Sequence, residues 1–235
     1  MTNNSIAQAF AELSTPLVAD ACVRLKLPLR LVPPGISAQP AWARMAGRVL
    51  PARHFGSVDV FLEALESAET GDLLAIDNGG RLDEGCIGDL TVLEARAAGV
   101  AGVIVWGAHR DTRELEEIGL PVFSYGRSPA GPVRLDARTP DALVSARFGS
   151  EVVSREDVAF GDADGVLFVA TANVGDVLRV AGEIWQKERE QAGAIRAGRT
   201  LREQLQFREY LAAREKNPSL TFRQHLRRLG GAIEE

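Results

Sequence analysis

Two acidic residues and an arginine carry the clearest chemistry this sequence offers. Asp89 and the pair Arg110–Asp111 stand near the two ends of GCIGDLTVLEARAAGVAGVIVWGAHRD, positions 85–111. Carboxylate oxygens are hard ligands that suit Mg2+ or Mn2+ rather than zinc. A Mg2+ site needs only one or two of them, with water and substrate filling the other positions. An arginine beside them can grip a substrate carboxylate through two parallel hydrogen bonds. Free N–H groups in the glycine-rich entry Gly85, Cys86, Ile87 and Gly88, just ahead of a helix, can bind the same anion. Together these groups describe a site for a small α-keto acid held through its carboxylate and carbonyl. Read singly, each has a plainer role. Asp89 fits a helix cap, and Arg110–Asp111 fits a solvated pair worth ~0–1 kcal/mol.

The elements around them decide whether they converge. The run 72–77 (DLLAID) reads as a short apolar strand, 78–88 as loop, and 89–99 as a helix with Leu90, Leu93 and Ala97 on one face and Gly99 as its stop. AGVIVW (101–106) reads as a buried strand. Strand, helix and strand at this length form a crossover unit with parallel strands, whose carboxyl ends gather ligands. That arrangement brings the loop with Asn78, Gly79, Gly80, Gly85 and Gly88, the helix start at Asp89, and the loop with Gly107, His109, Arg110 and Asp111 to one edge.

The rest of the chain supplies the frame. Helices are predicted over 6–13 and 17–25, the second restarted by Ser14, Thr15 and Pro16. The proline-rich 28–40 reads as loop, 46–54 as a strand broken at Pro51, and 57–68 as a helix capped by Ser57. Another short helix (111–119) and strand (120–126) follow, then β and turn over 132–170. A long helix spans 174–198, with two more at 201–216 and 221–231. The last is marked by a Thr221–Gln224 capping box and by Phe222, Leu226 and Leu229 on one face. We divide the chain into an α/β catalytic domain, 1–172, and a helical extension, 173–235, that packs on its own or a neighbouring subunit.

Several functional classes lose support. The chain has 27 basic and 32 acidic side chains, a net charge of −5, which gives no basic surface for a nucleic-acid backbone. No apolar run approaches the ~20 residues of a membrane span, and the N-terminus lacks a signal-peptide layout. Cys22 and Cys86 fit buried thiols in a reducing compartment better than a disulfide framework. These points lead us to expect a soluble cytoplasmic protein. His54, His109 and His225 show no metal spacing and read as structural or surface residues. NGGRLDEG is neither a dinucleotide fingerprint nor a phosphate loop, no serine sits in a nucleophile elbow, and GDADG (161–165) reads as a turn. Trp106 and Trp185 read as packing residues.

The stretch AIDNGGRLDEGCIGDLTVLEARAAGVAGVIVWGAHRD resembles the signature of the RraA-like aldolase family, in which Arg-Asp follows an Asp by the spacing seen here, 21 positions from Asp89 to Arg110. Glu114, STPLVADACVRL (14–25) and GDADGVLFVA (161–170) match as well, so the resemblance covers roughly residues 10 to 195. The family includes metal-dependent pyruvate aldolases acting on 4-hydroxy-4-methyl-2-oxoglutarate and 4-carboxy-4-hydroxy-2-oxoadipate, and a regulator of ribonuclease E. The resemblance implies an α-β-β-α sandwich like a swivelling phosphohistidine domain, assembled as trimers or paired trimers with the site at a subunit interface. It implies Asp111 as the direct ligand of Mg2+ or Mn2+, and Asp89 as the holder of a metal-bound or proton-relaying water. It implies Arg110 as the grip on the keto acid, and the amides of 85–88 as a cradle for its carboxylate. An acidic residue from a neighbour's C-terminal helix, Glu188 or Glu190, would complete the outer shell. The tail after 200 departs from the aldolases, which leaves the substrate's distal half open.

The activity this implies is retro-aldol cleavage of a 4-hydroxy-2-oxo acid to pyruvate, with oxaloacetate decarboxylation as a side activity through the same enolate. The alternatives are a protein-binding regulator of a ribonuclease and a different metal-dependent lyase acting on sugar-acid derivatives.

Overall fold

The structure, a computed structural model, describes residues 1–229. In chain order the elements are α1 (Asn3–Phe10), α2 (Thr15–Arg24), β1 (Arg30–Leu31), β2 (Ser37–Gln39), β3 (Met45–Arg53), α3 (Asp59–Leu65), β4 (Leu73–Ile87), α4 (Asp89–Ala97), β5 (Gly102–His109), α5 (Thr112–Ile118), β6 (Val122–Ser124), β7 (Ala146–Phe148), β8 (Glu151–Val153), β9 (Asp157–Asp162), β10 (Gly165–Ala170), α6 (Val174–Arg196), α7 (Leu201–Gln204), α8 (Phe207–Lys216) and α9 (Phe222–Leu229). The final residues of the helix predicted over 221–231 lie outside the described residues.

Eight strands form one mixed sheet in the order β1-β10-β9-β3-β4-β5-β6-β2, with β3, β4, β5 and β6 mutually parallel. Its two edges, β1 and β2, are separated only by residues 32–36, so the sheet folds over on itself. Alternation along the strands then builds three cores. Leu74, Ile76, Val103 and Val105 face outward onto Val60, Phe61, Val92 and Leu115 of α3, α4 and α5. Val158, Phe160, Leu167 and Val169 face outward onto α1, α2 and α6. Leu73, Ala75, Ile104, Phe123, Phe168 and their neighbours fill the space between the two halves of the sheet. The result is the α-β-β-α sandwich that the resemblance implied, with the last three helices beyond it.

Local chemistry explains most boundaries. Thr2 caps α1 through the Ser5 amide. At α2 the expected Ser14 cap makes no bond. Asp162, from the GDADG turn, accepts from Thr15 N at 2.8 Å and Thr15 Oγ1 at 2.6 Å instead. This places a carboxylate at the positive end of the helix. The strand over 46–54 is not broken at Pro51. β3 pairs with β9 only over Met45–Arg48 and with β4 over Val49–Arg53, so Pro51 lies where one side of the strand is free. The segment 28–40 contributes two short edge strands rather than loop alone. Ser57 does not cap α3, which starts at Asp59.

Two further expectations are corrected. The face of α4 that meets the sheet carries Val92 and Ala95, fully buried, while Leu90 is 75% and Leu93 46% exposed and Ala97 lies on the solvent side. A helix with apolar residues all round has no face the sequence alone can choose. The helix predicted over 201–216 is two. The chain turns at Gln206, in the left-handed region with φ 48°, between α7 and α8. A Thr200–Glu203 capping box that the sequence reading missed starts α7, and the predicted Thr221–Gln224 box precedes α9.

Candidate functional site

The segment 78–88, expected to leave the sheet as a loop, stays with it. After Asp77 pairs with Trp106, β4 returns to β5 at Arg81–Gly107, Gly85–Ala108 and Ile87–His109, with a register shift at each step. Bulges of this kind re-aim side chains near functional sites. Here they lay residues 85–88 alongside 108–111, and the Arg110 amide donates to Ile87 O at 2.9 Å. Gly85 is required by packing. A Cβ there would lie 2.8–2.9 Å from Ser128 O, Arg110 Cβ and the His109 carbonyl carbon.

The Arg110 and Asp111 side chains meet the backbone at the start of α4. Asp111 precedes α5 in a left-handed conformation, φ 59° and ψ 41°, which costs a non-glycine residue ~1–2 kcal/mol. Strain of this kind clusters at ligand sites. Its Oδ2 lies 3.4 Å from the Asp89 amide and 3.3 Å from Arg110 Nε. Gly88 lies against both. A Cβ at that position would stand 2.1 Å from Asp111 Oδ2 and 3.1 Å from Arg110 Cγ and Nε. Asp89 does not cap α4 as the sequence suggested: it is the first residue of the helix, which Gly88 precedes, and its Oδ1 accepts from the adjacent Leu90 amide at 2.8 Å. The Arg110 side chain is 47% exposed and Asp111 34%, so neither is locked into the interior. The guanidinium runs beside the backbone of Gly131, where a Cβ would be 3.0 Å from its Nη1.

One part of the expected cradle is corrected. The Gly85 amide is already spent on Ala130 O at 2.8 Å, because that residue is packed into the sheet rather than displayed on a loop. Cys86 is buried, and burial pushes its thiol well above the usual range, so it offers neither a nucleophile nor a ligand. Ile87 is buried in the α3–α5 core. Glu188 and Glu190 lie on α6, far along the chain from this site. Glu188 borders a cleft of about 400 Å³ with Trp42, Asp162 and Trp185, and Glu190 is exposed.

The histidines are structural. His109 is buried directly behind Arg110, with Nδ1 2.7 Å from Ser124 Oγ and Nε2 3.0 Å from Thr112 Oγ1. Ser124 Oγ donates to Gly126 O, so His109 Nδ1 carries the proton and Nε2 accepts. Burial, and then the charge of Arg127, lowers its pKa. His54 is likewise lowered by burial and bonds Asn78 Oδ1 at 2.7 Å. His225 donates to Leu205 O at 2.8 Å. Trp106 packs edge-on against Tyr125, and Trp185 packs on the α1–α2–α6 core.

Sequence reading missed the strut that holds the 78–84 bulge. Buried Glu84 accepts from Arg134 Nη2 at 2.9 Å, and the same Nη2 donates to Asn78 Oδ1 at 2.8 Å. No local signal could reveal this, since Arg134 lies 50 residues from Glu84.

Among the described residues, no three His, Cys, Asp or Glu side chains cluster as a closed metal cage. The donor set at this site is instead two carboxylates at adjacent helix starts. Asp111 faces a backbone cradle that only glycine leaves open, which fits a hard cation whose other positions are filled by water and substrate.

The fold and site together define an α-β-β-α sandwich with an acid and an arginine–acid pair at the carboxyl ends of parallel strands. Residues 15–168 match the RraA-like family, Aldolase/RraA, and the chain belongs to it. A protein of Aromatoleum aromaticum with the provisional name 4-hydroxy-4-methyl-2-oxoglutarate aldolase is 28% identical over 149 residues, which are 63% of this chain and 92% of that protein. An uncharacterised protein from Pseudomonas syringae pv. tomato superposes with a TM-score of 0.75 at 24% identity, covering 85% of this chain and 96% of its own. RraAS2 of Streptomyces coelicolor, described as an unusual member of the RNase ES inhibitor RraA protein family, gives 0.69 at 22%, covering 79% and 94%. The RNA-processing inhibitor RraA from Thermus thermophilis gives 0.56 at 26%, covering 64% and 91%.

Proposed function

We propose that this chain is a divalent-metal-dependent lyase that cleaves a 4-hydroxy-2-oxo acid to pyruvate and a second carbonyl compound, with oxaloacetate decarboxylation as a side activity. One observation carries the reading. Arg110 and Asp111 meet the start of α4 at Asp89 in a partly exposed position, with Asp111 held in a left-handed conformation over Gly88 and its carboxylate facing the Asp89 amide. The aldolase name of the Aromatoleum relative supports it.

In this reading Asp111, with Asp89 behind it, would hold Mg2+ or Mn2+, and Glu188 or Glu190 of a neighbouring copy would join the outer shell of a trimer or hexamer. When bound, the cation supplies a Lewis acid where negative charge grows on the 2-oxo oxygen. The chain's own groups do the rest. Arg110 binds the keto acid's carboxylate side and fixes its orientation. The Gly88 amide, what remains of the 85–88 cradle at the positive end of α4, would face the same anion. Asp89 orients the water that takes the C4-hydroxyl proton. As that proton leaves, the C3–C4 bond breaks and its electron pair passes to C3 and the 2-oxo group, and protonation at C3 yields pyruvate. His109 is not the base, because both its nitrogens are committed, to Ser124 and to Thr112.

The test is pyruvate release from a panel of 4-hydroxy-2-oxo acids, oxaloacetate and sugar-acid derivatives, with Mg2+ or Mn2+ and with EDTA. Turnover that EDTA and Asp111→Ala both abolish is the expected result. No pyruvate from any 4-hydroxy-2-oxo acid or oxaloacetate would sink the proposal, and metal-dependent turnover of sugar acids alone would replace it with the other lyase. The likeness to the RNA-processing inhibitor RraA from Thermus thermophilis favours a regulator as the second reading. Stoichiometric recovery of a ribonuclease by a chain without turnover would establish that role.

A further inference from the structure

The net charge of −5 conceals a sharp division. Residues 196–229 hold nine Arg or Lys and three Glu, net +6, whereas residues 1–195 hold 18 Arg or Lys and 27 Asp or Glu, net −9, and Glu234 and Glu235 make up the total. All nine cations are exposed. The body neutralises many of its arginines with carboxylates, as in Arg30–Glu151, Arg134–Glu84 and Arg179–Glu183. Among the described residues, no ion pair joins Arg202, Arg208, Arg227 or Arg228 to a carboxylate. The tail nevertheless folds. Phe207, Tyr210, Phe222 and His225 pack against one another, and His225 closes on Leu205 O. Uncompensated like charge weakens a compact state, so a surface of this kind points to a counter-charged partner.

The matching surface is the outer layer formed by α3, α4 and α5. Those helices hold seven Asp or Glu against two Arg. Asp59, Glu94, Glu114 and Glu116 are exposed there and have no ion-pair partner among the described residues. Among these acids lie Leu62, Leu90 and Leu93, exposed by 45%, 75% and 46%. The tail cannot cover this face of its own molecule. It is tied back to α6 through Gln204 Nε2, which donates to Gln191 O at 3.2 Å. α6 belongs to the opposite outer layer, with both halves of the sheet in between.

We infer that the basic tail of one copy docks on the acidic, leucine-bearing α3–α4–α5 face of a second copy. The charges are complementary. The leucines also give the long arginine stems an apolar floor, as such side chains favour. A nucleic acid would meet the tail's charge but not the leucines, and the −9 of residues 1–195 would repel it. The inference does not depend on the catalytic reading, because the residues that test it, Glu94, Glu116, Arg227 and Arg228, take no part in the proposed reaction.

The experiment is sedimentation velocity on the full chain at low and high salt, with three variants checked for wild-type circular dichroism and melting. These are Arg227→Glu with Arg228→Glu, Glu94→Arg with Glu116→Arg, and all four together. Wild type should self-associate, and more weakly in high salt. Each double variant should raise the dissociation constant by about tenfold or more, from attractions turned into repulsions, and the four changes together should restore most of the loss. A wild-type chain that is monomeric at low salt would overturn the inference. So would double variants with unchanged association, or a fourfold variant no better than either double. Tail-dependent binding of a labelled single-stranded oligonucleotide by a monomeric chain would assign the tail to nucleic acid instead.

Discussion

Gly88→Ala is the sharpest test of the site, because the substitution adds one methyl group and changes nothing else. The backbone at Gly88 is extended, φ −144° and ψ −164°, so alanine meets no conformational penalty there. Its Cβ would lie 2.1 Å from Asp111 Oδ2, whereas ordinary contact begins at 3.4 Å. The carboxylate must therefore move by about 1.3 Å, or the start of α4 must shift by as much. Overpacking of this kind costs about 1–3 kcal/mol of stability, and a displacement near 1 Å at a reacting centre costs about 100-fold in rate. The assay is pyruvate release, coupled to NADH oxidation by lactate dehydrogenase, at saturating Mg2+ and beside thermal melts. We expect kcat/KM to fall about 100-fold in a protein that still unfolds cooperatively. Gly182→Ala is the control. It sits inside α6 with nothing within 4 Å of the new methyl, and should gain about 0.5–1 kcal/mol of stability with full activity. A Gly88→Ala enzyme within about twofold of wild type would show that the position of the Asp111 carboxylate does not matter to the reaction.

Other consequences are equally direct. Arg110→Lys keeps the charge but loses the planar fork, and should lower kcat/KM by about 100- to 1,000-fold; steady-state kinetics over the same substrates decides this. Asp162→Ala removes both bonds to Thr15 and should destabilise the fold by about 1–3 kcal/mol in urea titration, with Asp162→Asn intermediate. His54 and His109 are both lowered from the ordinary value of 6.5, first by burial. Their neutral forms are favoured on folding, so the unfolded chain binds more protons below that value. Their contribution is complete above about pH 6.5 and is lost as pH falls through the lower folded pKa values. Urea midpoints at pH 7.5 and 5.5 should therefore differ less in His109→Gln than in wild type, and an unchanged difference would exclude His109 as a source.

The parts of this protein legible in its sequence are those set by neighbours along the chain. Asp89, Arg110 and Asp111 were identifiable because a strand–helix–strand unit leads to a shared edge whatever packs around it. The GDADG turn, the Thr221–Gln224 box and the stop at Gly99, φ 83°, are equally local. Other features depend on which distant surface arrives. Val92 and Ala95, not Leu90 and Leu93, became the inner face of α4, because all five apolar residues of that helix are suitable and only the sheet beneath selects among them.

The same division separates the site from its framework. Sequence determined which groups are present and that two of them start adjacent helices, since helix starts and strand ends follow from local periodicity and turns. Tertiary structure alone decided that residues 78–88 stay on the sheet through three register shifts, that Arg134 reaches across 50 residues to hold Glu84, and that the basic tail leaves from α6, in the outer layer opposite the acidic helices. Contacts between residues far apart in the chain leave no periodic trace, so only the folded chain reveals them.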